Sequence, residues 1–136
     1  MVYNFVQYLR TKFPTETIYS NIEFKTASQE SVPDRMIIVQ STGGTEQPFT
    51  RYSEPTVQVR VRDTNDPEAY ALVYNIFNEM TSRWGLILPA IVVGVNTHPA
   101  IETAQIIGIQ KPYCLGADEN GRIEYIVNFK ITFVED

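Results

Sequence analysis

The stretch Pro55–Trp84, PTVQVRVRDTNDPEAYALVYNIFNEMTSRW, predicts one strand followed directly by one helix. In its first part every second residue is a valine, and the residues between them are polar: Val57, Val59 and Val61 alternate with Gln58, Arg60 and Arg62. A period of two is typical of a strand with one buried face. We therefore expect the three valines to face the core.

The second part of this stretch carries helix-start signals. Asp66 is an expected N-cap, Pro67 suits a first helical position, and Glu68 places negative charge at the positive end of the helix dipole. We expect a helix over Pro67–Arg83, with Gly85 as its C′ residue. Its apolar stripe is predicted to contain Tyr70, Val73, Phe77, Met80 and Trp84, widened by Ala69, Leu72 and Ile76.

Apolar periodicity also predicts the other elements. Val2 begins a short amphipathic helix that ends before Pro14. Strands are predicted at Thr17–Phe24, Arg35–Ser41, Thr103–Lys111 and Arg122–Val134. We expect residues 35–62 to form a long hairpin and the last two strands to pair antiparallel.

The connections are less regular than these elements. Lys25–Asp34 is expected to be a loop, and Thr42-Gly43-Gly44 is expected to end the strand before it. Turns are predicted at Thr97–Pro99 and Asp118–Gly121, while Leu86–Val95 is apolar without a clear assignment. The prediction is one α+β domain over residues 1–136, with a mainly antiparallel sheet of four to five strands and both helices packed on one face.

Composition limits the classes of function. The 136-residue chain has a formal net charge of −5, which opposes non-specific binding to nucleic acid or anionic lipid. A secretory signal pattern and a membrane-length apolar run are both missing, so we expect a soluble protein made in the cytoplasm. Its single cysteine excludes an internal disulfide and multi-cysteine metal sites.

Residues able to carry catalysis are scarce. His98 is the one histidine, in an expected turn, and Cys114 has no neighbouring base, so we expect a solvated imidazole and a small packed thiol. Gly43-Gly44 is not followed by a Walker lysine, and the segment with Asp118 and Glu124 lacks the calcium-loop ligand pattern. We therefore expect no enzyme activity, metal or cofactor. Arg60 and Arg62 suit either solvent-facing edge charges or a contact surface.

In order and spacing, the chain resembles the tail terminator proteins of long-tailed bacteriophages, a family often labelled phage minor capsid protein. The resemblance runs nearly end to end. It rests on Lys12-Phe13-Pro14, Pro33-Asp34-Arg35, Thr42-Gly43-Gly44, the run from Val57 to Asp63 that enters a helix, Pro99-Ala100, the run from Leu115 to Arg122, and Asn128-Phe129.

The resemblance implies a structural virion protein that forms a ring, commonly of six subunits, on the finished tail tube. Such a ring stops polymerisation of the tube protein and presents a surface to head-completion proteins at the neck. Alternatives are a head-side neck or connector protein and, in a different class, a small hydrolase or nucleotide-binding domain.

A ring requires a heterologous interface between two different patches of the subunit. One expected patch contains Arg51, Tyr52, Arg60 and Arg62, because arginine and tyrosine are frequent at interface hot spots. The complementary patch is expected to be acidic, with Glu54, Glu68, Glu79, Glu119 and Glu124 as its candidates.

Overall fold

The computed structural model describes residues 1–21, 33–46 and 52–134. Within these ranges the elements follow the order α1 (Val2–Lys12), β1 (Ile18–Ser20), β2 (Met36–Glu46), β3 (Tyr52–Asp63), α2 (Asp66–Met80), β4 (Arg83–Trp84), β5 (Ile87–Leu88), β6 (Ile91–Val93), β7 (Asn96–His98), β8 (Ile101–Gly108), β9 (Tyr113–Ala117) and β10 (Ile123–Val134).

Eight of these strands form one sheet, and all pairs in it are antiparallel except β1 with β2. The order is β1-β2-β3-β10-β8-β4, with β5 also paired to β8 and β9 also paired to β10. The predicted α+β class and mainly antiparallel sheet are confirmed, but four to five strands is too few. The missed strands β4, β5 and β9 span two to five residues each, too short for alternation to be visible in the sequence.

The predicted hairpin of residues 35–62 is confirmed, since β2 pairs with β3 from Met36 opposite Arg62 to Glu46 opposite Ser53. The strand does not end at Thr42-Gly43-Gly44, however, but continues through it with a bulge between Ser41 and Gly43. Both glycines have positive φ. A Cβ on Gly44 would overlap the carbonyl oxygen of Glu54, so glycine lets the two strands stay paired past the bulge.

The strand and helix predicted within Pro55–Trp84 occur as β3 and α2, but the ends of the helix are shifted. Val57, Val59 and Val61 are fully buried. The N-cap is Asn65 rather than Asp66, because the Asn65 side chain accepts a hydrogen bond from the Glu68 backbone N–H at 3.2 Å. The helix thus begins one residue early, and it ends at Met80 rather than Arg83, before Ser82 adopts a left-handed φ of 56°.

The buried face of α2 differs from the predicted apolar stripe. Its buried members are Ala69, Leu72, Val73, Ile76 and Met80, whereas Phe77 is only partly buried. Tyr70 is 50% exposed, and Trp84 is 72% exposed because it lies in β4 and outside the helix. The stripe is therefore rotated away from Tyr70 and centred on Leu72 and Val73.

Three other connections differ from expectation. Gly85 has a left-handed φ of 66°, but it lies between β4 and β5 and not at the end of the helix. The expected turn at Thr97–Pro99 is instead strand β7, which pairs with β6 across a turn at Gly94. The expected strand Thr17–Phe24 ends at Ser20; its residues 22–24, like residues 25–32 of the expected loop, lie outside the described ranges.

Both helices pack on the same face of the sheet, as predicted. Phe129 of β10 meets Phe5 of α1 at 5.9 Å and Phe77 of α2 at 6.4 Å between ring centroids. Helix α1 also contacts β1 and β2 at one side of the sheet and β5 and β6 at the other. The first helix therefore bridges the two lateral edges of the sheet, across a core formed by buried residues of both layers.

Arg35 ties four segments together beside the start of α2. Its guanidinium donates to both carboxylate oxygens of Glu16, at 2.9 and 2.7 Å, to Asp63 at 3.0 Å and to Glu68 at 3.2 Å. The hydrogen bonds with Glu16 are the main cause of the raised pKa of Arg35. One side chain thus joins the α1–β1 turn, β2, the end of β3 and the first turn of α2.

Replacing Arg35 by alanine is expected to lower the free energy of unfolding by about 2 kcal/mol, the scale of lost charged hydrogen bonds. Three carboxylates would then lie together without their shared cation. Arg35→Lys should cost less, since it keeps the charge but not the planar fork. Urea denaturation in low and high salt measures both; the deficit of the alanine variant should shrink in salt. Equal stability of the two variants would contradict the role of the charge.

Gly44→Ala is expected to destabilise the hairpin more than Gly43→Ala. The Cβ added by Gly43→Ala meets nothing within 4 Å, so this substitution adds only the cost of positive φ, about 1 to 2 kcal/mol. Gly44→Ala adds the overlap with Glu54 and Pro55 of the paired strand. Urea midpoints of the two variants give the comparison, and equal midpoints would show that strand spacing does not require Gly44.

Candidate interaction surfaces

The scarce reactive side chains lie in different sheets, His98 in the pair β6–β7 and Cys114 in the large sheet. His98 ends β7 and its ring lies 5.3 Å from that of Tyr3, while Cys114 is exposed on β9, so the expected packed thiol is wrong. In the part of the chain that the structure describes, no three His, Cys, Asp or Glu side chains are grouped as metal ligands.

Asp118 is engaged in the turn that precedes β10. Its carboxylate accepts the backbone N–H groups of Asn120 and Arg122, each at 2.9 Å, and the Arg122 side-chain Nε–H at 2.6 Å. The Arg122 backbone N–H is the main cause of the lowered pKa of Asp118. Because the folded pKa is lowered, this contribution to the turn is present above the ordinary aspartate pKa and is lost as the pH falls through the lowered value.

The predicted interface residues lie on the face of the sheet opposite α1 and α2, which we call the helix-free face. Tyr52, Arg60 and Arg62 alternate with the buried valines of β3, and all three therefore project from this face. Arg51 lies outside the described residues. The structure thus brings three of the four predicted residues to one surface, spread along a single strand.

Arg62 is engaged within its own chain. It is 3% exposed and donates to the carbonyl oxygens of Pro33, at 2.8 Å, and Asp34, at 3.2 Å. Burial is the main cause of its lowered pKa. This arginine fastens the segment that enters β2, so its guanidinium is largely committed before any partner binds.

Arg60 differs from Arg62 in its hydrogen bonding. It is half-buried, and in the sheet register it lies between Ile38 of β2 and Ile126 of β10. Its Nε atom is buried and has no hydrogen-bond partner. A buried donor without an acceptor is costly, so the Arg60 side chain is held less favourably within the subunit than that of Arg62.

The helix-free face has one end where its side chains are buried, which we call the closed end, and one where they are exposed, which we call the open end. At the closed end, Met36, Ile38 and Ile126 are buried. At the open end, the cross-strand pair Tyr52 and Val134 is 46% and 50% exposed. Further along, the face carries Trp84, 72% exposed, and Ile87, 58% exposed. Large exposed apolar side chains grouped on one face mark an interaction surface.

The predicted acidic candidates divide between the two faces. Glu124 is opposite Arg62 in the β3–β10 ladder, and Glu54 follows the alternation of Tyr52, so both lie on the helix-free face. Glu68 and Glu79 belong to α2, where Glu68 bonds to Arg35 and Glu79 accepts from the Tyr8 hydroxyl. Glu119 is exposed in the turn before β10.

Sequence reasoning missed a second surface feature, the hairpin of residues 91–98 formed by β6 and β7, which we call the arm. It is a two-stranded sheet separate from the large one. Its root is held by Asn4, which is 1% exposed and donates to the carbonyl oxygens of Pro89, at 3.0 Å, and Pro99, at 2.9 Å. The signals that could have found the arm are Gly94, the apolar strand Ile91–Val93 before it and the short strand Asn96–His98 after it.

No family model matches the sequence, and a comparison with curated proteins finds no significant match. Among the described residues, no helix is long and apolar enough to cross a membrane.

Asn4→Ala is expected to loosen the arm. It removes two hydrogen bonds from buried groups, at a cost of about 1 to 3 kcal/mol in the free energy of unfolding. Hydrogen exchange of the arm amides should accelerate more than that of the β3–β10 ladder. Asn75→Ala, an exposed change on α2, is the matched control and should stay within about 0.5 kcal/mol of the original protein. Unchanged exchange in the arm would show that Asn4 does not hold its root.

Proposed function

We propose that this chain is a structural virion protein, a tail terminator that forms a ring on the tail tube of a long-tailed bacteriophage. In this role the ring stops polymerisation of the tube and offers a joining surface to the head-completion protein. The proposal starts from the sequence resemblance, and the open end of the helix-free face is the structural observation that supports it.

The open end has the composition of a protein–protein contact surface. Tyr52 and Trp84 are large aromatic side chains held on a sheet, where little side-chain entropy remains to be lost on binding. Arg60 adds a buried donor without an acceptor at the border with the closed end. Aromatic and arginine side chains of this kind are the usual hot spots of interfaces.

The two faces of the subunit differ as a ring requires. A heterologous contact joins unlike patches, so that each copy offers one face to a neighbour on either side. The helix-free face offers Tyr52 and Arg60, and the α2 surface on the opposite side offers Glu68 and Glu79 with the exposed ring of Tyr70. Glu54 and Glu124 also lie on the helix-free face, and Glu68 is already bonded to Arg35, so this contact depends on the exposed aromatic rings more than on opposite charge.

Electron microscopy of particles made without this protein tests the proposal. Over-long tails are expected when the tube is no longer capped. Heads without attached tails, beside tails of normal length, would instead assign the chain to the head side of the neck. Normal particles would exclude both roles.

Trp84→Ser combined with Ile87→Ser is expected to reduce the fraction of capped tails by about tenfold or more, as for loss of a hot spot. Both side chains are exposed in the subunit, so its urea midpoint should hardly change. Tyr70→Ser is the control, because it removes a large exposed ring from the opposite face. Complementation of the deleted gene, scored by microscopy, gives the result, and full capping by the double variant would exclude the open end as a contact.

A further inference from the structure

The arm lies within the longest uncharged part of the chain. From Trp84 to Ile101 no residue is charged, although charged residues make up 20% of the whole sequence. Two arm valines face solvent, Val92 with 66% of its surface exposed and Val95 with 97%. The exposed valines of this uncharged hairpin favour an apolar partner of protein character, because anionic lipid and nucleic acid are bound through cationic side chains.

The arm is also oriented in advance of binding. An isolated two-stranded hairpin is marginally stable in water. Here the Asn4 amide spans the two carbonyl groups that flank the arm, and the His98 ring packs beside Tyr3 of α1. The root is thereby fixed to the core while the tip at Gly94 and Val95 projects, which lowers the entropy lost when the tip docks.

A groove of about 890 Å³ lies at the root of the arm. It is lined by residues 99–104 together with Phe133 and Val134, and Glu102 is the one charged residue among them. The groove occurs where the β8–β10 ladder shifts register between Thr132 and Phe133. Its lining is therefore mixed apolar and backbone polar, which suits the short apolar tip of a strand pair.

We propose that the tip of the arm of one copy packs into the groove at the root of the arm of the next copy. The inference rests on the proposed ring, and it assigns a contact that holds the ring together. Tip and groove lie at opposite ends of the same ribbon, roughly 10 Å apart for three residues of strand. A paired ribbon cannot fold its tip back onto its own root, so the occupant must come from another molecule.

A second copy is the occupant that fits best. A contact between tip and root joins unlike surfaces, so its repetition gives the heterologous symmetry of a ring. Each copy carries a net charge of −5, which opposes self-association. The arm carries no charged residue, so its docking brings no second charge beside Glu102, the one charged residue of the groove.

Disulfide trapping tests this contact. In a Cys114→Ser background, a chain carrying Val95→Cys is mixed with a chain carrying Ala104→Cys, since Ala104 is exposed and lines the groove. Mild oxidation of the purified proteins should give a mixed dimer on non-reducing gels. The control replaces Ala104→Cys by Asn75→Cys on the exposed side of α2, and its yield of mixed dimer should be at least about tenfold lower. Equal yields from the two mixtures would overturn the proposal.

A chain that carries both Val95→Cys and Ala104→Cys extends the test. Repeated tip-to-groove contacts should give a ladder of cross-linked oligomers that ends in a closed species, whereas a two-fold contact would stop at the dimer and contradict the proposal. A further chain combines Val95→Asp with Val92→Cys and Ala104→Cys. It should give no ladder, and its fold should be unaltered. On isolated tails, cross-links from position 95 to the tube protein instead of the neighbouring copy would also overturn it.

The two proposals fail in different ways. A ladder from purified protein together with normal tails in particles lacking the chain would retain the arm contact and exclude the terminator role. Uncapped tails in those particles together with no tip-to-groove cross-link would retain the role and exclude the contact.

Discussion

The four hydrogen bonds of Arg35 are the constraint that fixes how the helical layer meets the sheet. Glu16 is far in sequence from Asp63 and Glu68, which lie on either side of the turn between β3 and α2, and each of the three places a carboxylate against the same guanidinium. The end of β3 and the start of α2 are thereby held beside the turn that follows α1. The planar fork of arginine meets several oxygens at once, which a lysine cannot do in the same geometry.

With both helices on one face, the other face of the sheet divides into a buried end and an exposed end. Its closed end uses Arg62 to hold the carbonyl groups of Pro33 and Asp34, and so serves stability. Its open end exposes aromatic and branched side chains that contribute nothing to the core. Strand β3 therefore contributes to core packing, to internal anchoring and to the candidate contact surface. The alternation of its side chains and their position along the strand decide which residue has which role.

Long periodic elements could be predicted from the sequence, because alternation over seven or more residues specifies which face is buried. That is why the valines of β3, the hairpin with β2 and the antiparallel pairing of β10 were identified correctly. Strands β4, β5 and β9 could not be, since their pairing depends on the longer strands beside them. The helix ends differed because local backbone geometry at Asn65 and Ser82 decided them.

The candidate surface was predictable only in part. Alternation placed Tyr52, Arg60 and Arg62 on the polar face, but no periodic signal shows that Arg62 is covered while Arg60 keeps a donor without an acceptor. The arm was missed because its strands are only three residues long, and the polar strand Asn96–His98 reads as a turn. Its position relative to α1 depends on two hydrogen bonds over 85 and 95 residues of sequence separation.

That separation has a consequence for synthesis. Helix α1 cannot complete its contacts until Pro99 has been made, and its Phe5 packs against Phe129 of β10. Contacts so distant in sequence form late in folding. The arm gains its orientation only when α1 docks, so it is directed only after β10 has also been made. A chain that stops short of Phe129 would leave the arm without a fixed direction.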